Sequence, residues 1–146
     1  MAEGAPEVGV GAVVLDGDEV LLVRRARPPC RGCWSIPGGR LRYGEGIFEG
    51  AAREVLEETG IAIEPLGVIF VGELLEEGYH YVIIDVLARP LNRDVRAGSD
   101  AMEAGFFSIA SPPSPLGGLT AKLLSWLRSL VKGGDLEVCL KCLNPA

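Results

Sequence analysis

One stretch constrains this chain more than any other: Gly39 to Ile61, reading GRLRYGEGIFEGAAREVLEETGI. It follows an IPGG segment, read as a tight turn closing at Gly38 and Gly39, and passes a glycine-flanked Glu45 into a helical run that stops at Gly60. Residues three and four apart share one face of a helix, so Glu54, Glu57 and Glu58 are expected to project together. Phe48, Ala52, Val55, Leu56 and Thr59 then form the face expected to be buried. Gly60 suits the left-handed residue just past a helix end.

Three carboxylates at one site repel each other and raise each other's pKa, so such a cluster is stable beside a compensating cation. Hard oxygen ligands favour Mg²⁺, Mn²⁺ or Ca²⁺ over zinc, and Mg²⁺ usually combines one or two carboxylates with substrate phosphates. Taken alone, EVLEE fits a solvated acidic helix face better than a metal site, with Arg53 paired to a neighbouring glutamate.

The spacing of the whole stretch resembles the Nudix box, G-x5-E-x7-R-E-U-x-E-E-x-G-U with U aliphatic. Its fixed places are filled by Gly39, Glu45, Arg53, Glu54, Val55, Glu57, Glu58, Gly60 and Ile61, with no departure over 23 residues. Further along, HYVIIDVLARP and SDAMEAGFFSI resemble the downstream half of small ADP-ribose pyrophosphatase-type Nudix proteins, which extends the likeness to most of residues 8–131. The resemblance implies an α+β fold, an α/β/α sandwich with the box as loop, helix and loop. It also implies divalent-metal-dependent hydrolysis of a nucleoside diphosphate linked to another group, such as ADP-ribose to AMP and ribose 5-phosphate. Carried over by position, Glu57 and Glu58 are the main ligands of Mg²⁺ or Mn²⁺, joined by Glu54 and the Gly38 carbonyl, with Glu45 at the edge. Arg53 orients the glutamates. Glu54 is the expected base, with Glu103 and Glu73 as other candidates. Pyrophosphohydrolysis of NTPs, oxidised nucleotides or dinucleoside polyphosphates, and nucleotide sensing without turnover, remain open.

The residues before the box add to this. Arg24, Arg25, Arg27, Arg31, Arg40 and Arg42 precede the acidic helix, and guanidinium forks suit bidentate phosphate recognition. Arg24, Arg25, Arg40, Gly39 and Glu103 are therefore candidate substrate-binding residues. Trp34, Tyr79 and Phe106 are candidates for stacking on a base, although each fits a core position better.

In order, Val8 to Leu15 and Val20 to Arg25 read as strands joined at Asp16-Gly17-Asp18. Glu64-Pro65 reads as a turn, followed by strands from Leu66 to Leu75, Tyr79 to Ala88 and Glu103 to Ile109. Thr120 is a candidate N-cap for AKLLSWLRSLVK, whose Leu123, Leu124, Leu127, Leu130 and Val131 form an apolar stripe. Strands around two helices predict a mixed sheet covered on both faces. The whole chain, 1–146, is expected to form one domain, with a core over 7–132 and a tail over 133–146.

A hydrophobic content of 48% and a net charge of −6 argue for a globular chain and against a dedicated nucleic-acid-backbone binder. No apolar run approaches the roughly 20 residues that span a bilayer, so a cytoplasmic protein without membrane partners is expected. Its partner is then a small nucleotide, and the family likeness suggests a homodimer. The sequence has no Gln and far more Arg than Lys, a pattern shared by thermophilic sources and GC-rich genomes. Cys30-x-x-Cys33 and Cys139-x-x-Cys142 leave three readings open: free thiols, disulfides, or, last, a tetrahedral zinc site.

Overall fold

A computed structural model describes residues 4–98 and 100–133. The chain opens with a long strand, β1 (Glu7–Asp16), and turns at Gly17, in a left-handed conformation (φ 63°), into β2 (Glu19–Arg25). Only Leu15 and Asp16 pair with β2. Nearer its start, β1 pairs in parallel with β6 (Tyr79–Pro90) and, through Gly9 to Gly11, antiparallel with the short β4 (Gly38–Arg40). The segment read as an IPGG turn is thus partly a strand. β2 diverges to pair with β3 (Trp34–Ser35) and β7 (Ala101–Ser108), and this divergence leaves the edge of β1 free for β4. The edge strand β5 (Ile63–Glu76) completes a mixed seven-stranded sheet on β6. Glu64 and Pro65 lie inside β5 rather than in a turn, and the ladder shifts register between Pro65 and Gly67. Proline lacks the N–H a regular ladder needs, so a bulge on an edge strand accommodates it.

Strand alternation sends successive side chains to opposite faces, and each face has its own helix. Val13, Leu15, Val20, Leu22 and Leu87 pack with Leu123, Leu124 and Leu127 of α2 (Gly118–Gly133). Ala12, Val14, Leu21, Val86 and Ala88 pack with Ala51 and Val55 of α1 (Ile47–Thr59). The expected α/β/α arrangement is present. Each fully buried Leu or Val contributes about 1.5–3 kcal/mol by leaving water.

The buried stripe of α1 is Ala51, Val55 and Thr59, with Gly50 at its edge. Phe48 and Leu56, expected inside, are 44% and 55% exposed. The helix carries only a narrow apolar face, because the other side holds carboxylates, and Phe48 and Leu56 fall outside it. Gly60 ends α1 in the left-handed conformation (φ 73°), its amide donating to the Leu56 carbonyl. The connection after β6 covers the same helix end, with the Arg96 and Gly98 amides donating to the Thr59 and Glu58 carbonyls.

Thr120 does not cap α2. It lies inside the helix, buried, and its hydroxyl accepts the Ile36 amide at 3.3 Å, tying α2 to the segment that leads into β4. Among the described residues no helix is long and apolar enough to cross a membrane. Cys139, Cys142 and the rest of the expected tail lie outside the described residues.

Candidate active site

The site is built where β4 replaces β2 beside β1. Gly38 and Gly39 bring the backbone of β4 close to both β1 and α1. A Cβ on Gly38 would lie 2.8 Å from Gly11 Cα, and one on Gly39 would lie 2.6 Å from the Glu54 carboxyl. At Gly38 glycine is a requirement of backbone packing, whereas at Gly39 it leaves the space that the Glu54 carboxyl occupies.

Arg53 is the hub of the acidic helix. Its Nε and Nη2 donate to both oxygens of Glu45 at 2.6 and 3.0 Å, and its Nη1 donates to Glu54 at 2.7 Å and Glu57 at 3.3 Å. Nη2 also donates to the Arg40 carbonyl at 3.2 Å, which links α1 to β4. The hydrogen bonds from Arg53, with a further one from the Arg42 amide, hold the Glu45 carboxyl at about 2. The same contacts raise Arg53 above the ordinary guanidinium value. Arg53 thus ties Glu45, Glu54 and Glu57 to one cation, and Glu45, expected at the edge of a metal site, is held by Arg53 and does not line the neighbouring cleft.

The three helix glutamates do not project alike. Glu54 and Glu58, one turn apart, both line a cleft of about 520 Å³. Glu57 is half-exposed and turns towards Arg42 at 3.6 Å and Arg53 at 3.3 Å. Burial, reinforced by the neighbouring Glu54 charge, pushes Glu58 up to about 8, against the opposing effect of a hydrogen bond from the Gly38 backbone. Among the described residues no three Cys, His, Asp or Glu side chains already converge in a metal-holding geometry. Two adjacent carboxylates with one pushed towards its protonated form are nevertheless a hard-oxygen donor pair short of positive charge, the kind of set that Mg²⁺ or Mn²⁺ takes with one or two carboxylates.

The cleft runs between the start of α2 and the sheet. Arg25 and Arg40 line it; Arg24 does not. The β2–β7 ladder shifts register between Arg24 and Arg25, and only Arg25 reaches the cleft. Arg24 instead faces Glu103 across β2 and β7 at 3.9 Å, and Glu103 is likewise absent from the cleft wall. Arg25 Nε donates to the Pro29 carbonyl at 2.8 Å, holding the loop that carries Cys30 over the cleft. Arg40 is exposed and pairs with Glu7 at 3.1 Å. Of the aromatic candidates, Tyr79 lines the cleft beside Tyr81. Trp34 is core, edge-on to Phe107 at 4.9 Å, and Phe106 lies under the Arg93 guanidinium. Glu73 pairs with His80 at 3.2 Å on the surface of the β5–β6 ladder, outside the cleft wall. Cys30 and Cys33 are joined as a disulfide.

Two acidic residues in the cleft wall, Asp100 and Asp85, were not singled out from the sequence. Asp100, left-handed at φ 63°, pairs with Arg27 at 2.8 Å. Asp85 stands in the floor of the cleft, 4% exposed, with Oδ1 lacking any partner. Burial alone pushes its carboxyl up to about 7. Its signal in the sequence was a lone carboxylate in the apolar run YVIIDVLA.

Comparison with known proteins places this geometry. A family model described as the NUDIX domain matches residues 5–127. The 8-oxo-dGDP phosphatase NUDT18 of Mus musculus is 39% identical over 103 residues, covering 68% of this chain and 31% of that protein. The chain therefore spans about a third of the length of that relative. An ADP-ribose pyrophosphatase of Methanocaldococcus jannaschii is 30% identical over 110 residues, covering 74% of this chain and 65% of that protein. Among solved structures, a MutT NUDIX hydrolase from Burkholderia pseudomallei superposes with a TM-score of 0.77 at 31% identity, covering 83% and 97% of the two chains.

Proposed function

The chain belongs to the NUDIX family, and on that premise we propose that its cleft hydrolyses the diphosphate linkage of a nucleoside diphosphate derivative, with ADP-ribose as the favoured substrate. The observation that carries this reading is the Glu54–Glu58 pair facing the cleft beside the close-packed glycines of β4, with Arg25 on the facing wall. The similarity to the M. jannaschii ADP-ribose pyrophosphatase favours ADP-ribose.

Glu54 and Glu58, with the Gly38 main chain, would hold Mg²⁺ or Mn²⁺, and Glu57 would join them by turning from Arg42 and Arg53 towards the cleft. When bound, such an ion neutralises charge on the diphosphate and makes water a better nucleophile near neutral pH. The remaining work falls to the chain. Arg25 and Arg40 orient the phosphates, Arg53 fixes the carboxylates, and Glu54 accepts the proton of the water that attacks phosphorus. The P–O bond of the diphosphate bridge breaks, and two phosphate monoesters leave.

A second reading is an oxidised purine nucleotide as substrate, favoured by the similarity to NUDT18. Product analysis with ADP-ribose, 8-oxo-dGDP and an NTP and dinucleoside polyphosphate panel in Mg²⁺ separates the two. AMP plus ribose 5-phosphate, abolished by Glu58→Gln and Glu57→Gln, supports the first. Turnover of 8-oxo-dGDP alone supports the second. No metal-dependent hydrolysis across the panel would sink both and leave a nucleotide-sensing module.

A further inference from the structure

We infer that Asp85 is the residue through which the cleft selects its nucleotide, its carboxyl accepting a hydrogen bond from the exocyclic amino group of the base. The inference rests on the nucleotide-site reading above and adds a specificity determinant to it.

A buried carboxyl oxygen without a partner is a costly feature in an apolar strand. Asp85 Oδ1 is one, and Ser35 Oγ, also lining the cleft, is a second buried oxygen without a partner. The main chain makes room for the carboxyl. Asp85 stands directly beside Gly11 in the β1–β6 ladder, and a Cβ on Gly11 would lie 2.5 Å from Oδ1 and 3.0 Å from Ile36 Cδ1. The absent side chain at Gly11 is therefore what lets the carboxyl occupy the cleft floor. No cation among the described residues pairs with it.

Position supplies the rest. Gly38, Gly11 and Asp85 lie side by side on β4, β1 and β6. Two strand spacings separate the Asp85 and Gly38 main chains by on the order of 10 Å, and the Asp85 carboxyl leans over Gly11 between them. A nucleotide whose phosphates are held at the glutamates would bring its base into the cleft beside Asp85, between apolar walls supplied by Ile36, Leu74, Leu119, Leu123 and Tyr79. Flat apolar walls around one acceptor suit a nucleobase edge bearing an amino donor.

The test is calorimetric binding of AMP, GMP and IMP to the wild-type chain and to Asp85→Val and Asp85→Asn, followed by steady-state kinetics with ADP-ribose and its hypoxanthine counterpart. Hypoxanthine lacks the exocyclic amino group of adenine and guanine. The wild type should bind AMP or GMP over IMP by on the order of 10- to 100-fold, the range set by one unsatisfied buried hydrogen-bonding group. Asp85→Val should remove this preference and raise KM with kcat nearly unchanged. Asp85→Asn, which keeps an acceptor oxygen, should retain part of it. Equal wild-type affinity for the amino-bearing and amino-free nucleotides overturns the inference without reference to any variant. So does an undiminished preference in a folded Asp85→Val protein, or the absence of nucleotide binding. Failure of the hydrolase reading looks different: nucleotides bind with the Asp85-dependent preference, yet none is hydrolysed.

Discussion

Replacing Asp85 by asparagine should change how stability depends on pH, by an amount the structure sets. The Asp85 carboxyl is raised by burial from 3.8 to about 7. Between those values the native state keeps a proton that the unfolded chain has released. Stability must therefore fall as pH rises through that window and level off above it. At about 1.4 kcal/mol for each pH unit, the interval integrates to about 4 kcal/mol. Asparagine does not titrate, so the variant should gain on the wild type as pH rises, from little pH-dependent difference near pH 4 to about 4 kcal/mol by pH 8. With a urea m-value of about 2 kcal/mol/M, that is a midpoint difference of roughly 2 M. Any fixed cost of burying the amide displaces the difference curve without tilting it. Glu58, also raised by burial, titrates in both proteins and cancels. Urea unfolding followed by circular dichroism at half-unit pH steps is sufficient. Parallel stability curves for the two proteins would refute the argument, because they would mean that the carboxyl is solvated or already partnered.

Four further outcomes are expected. Arg53→Met, which frees Glu45, Glu54 and Glu57 from their shared cation, should lower kcat by on the order of 10- to 100-fold, as loss of a residue orienting metal ligands does; a variant with wild-type kcat would refute the hub role. Gly39→Ala should displace only the flexible Glu54 carboxyl and so reduce kcat at nearly unchanged melting temperature. Gly38→Ala, whose Cβ meets the β1 backbone, should lower melting temperature as well, and identical melting of the two variants would contradict this. The Mg²⁺ concentration for half-maximal activity should fall as pH rises towards about 8, because Glu58 must lose its proton to ligate a cation; a titration series from pH 6 to 8.5 checks the direction. Reduction of the Cys30–Cys33 disulfide, which closes only a short loop, should shift melting temperature little yet change KM, since Cys30, Pro28 and Pro29 line the cleft.

Much of the machinery was legible in the residues. Glu54 and Glu58, four apart on one helix, had to share a face, and Gly60 had to end that helix. The continuous apolar runs of β1 and β6 announced strands buried on both faces. Where side chains depart from the expected arrangement, they do so for reasons of direction. Glu57 was grouped with its neighbours by spacing, but long side chains choose among rotamers, and Arg42 and Arg53 draw it outward. Arg24 and Arg25 were grouped by charge, while pairing with Glu103 of β7 keeps Arg24 out of the cleft that Arg25 lines. Thr120 had the chemistry of a cap, but the helix begins before it and its hydroxyl serves Ile36.

What the sequence determined by itself is local: which segments form strands or helices, and which carboxylates one helix can present together. These follow from backbone sterics and periodicity, which act over a few residues. Only the tertiary structure decided which distant groups meet. The register of β1 against β4 and β6 sets Gly38, Gly11 and Asp85 in a row, and β2 must peel away from β1 for that row to exist. No local rule encodes such a juxtaposition, because it depends on how three strands far apart in the chain bury one shared face. The glutamate pair was written in the helix, whereas the carboxyl in the floor of the cleft was placed by the sheet.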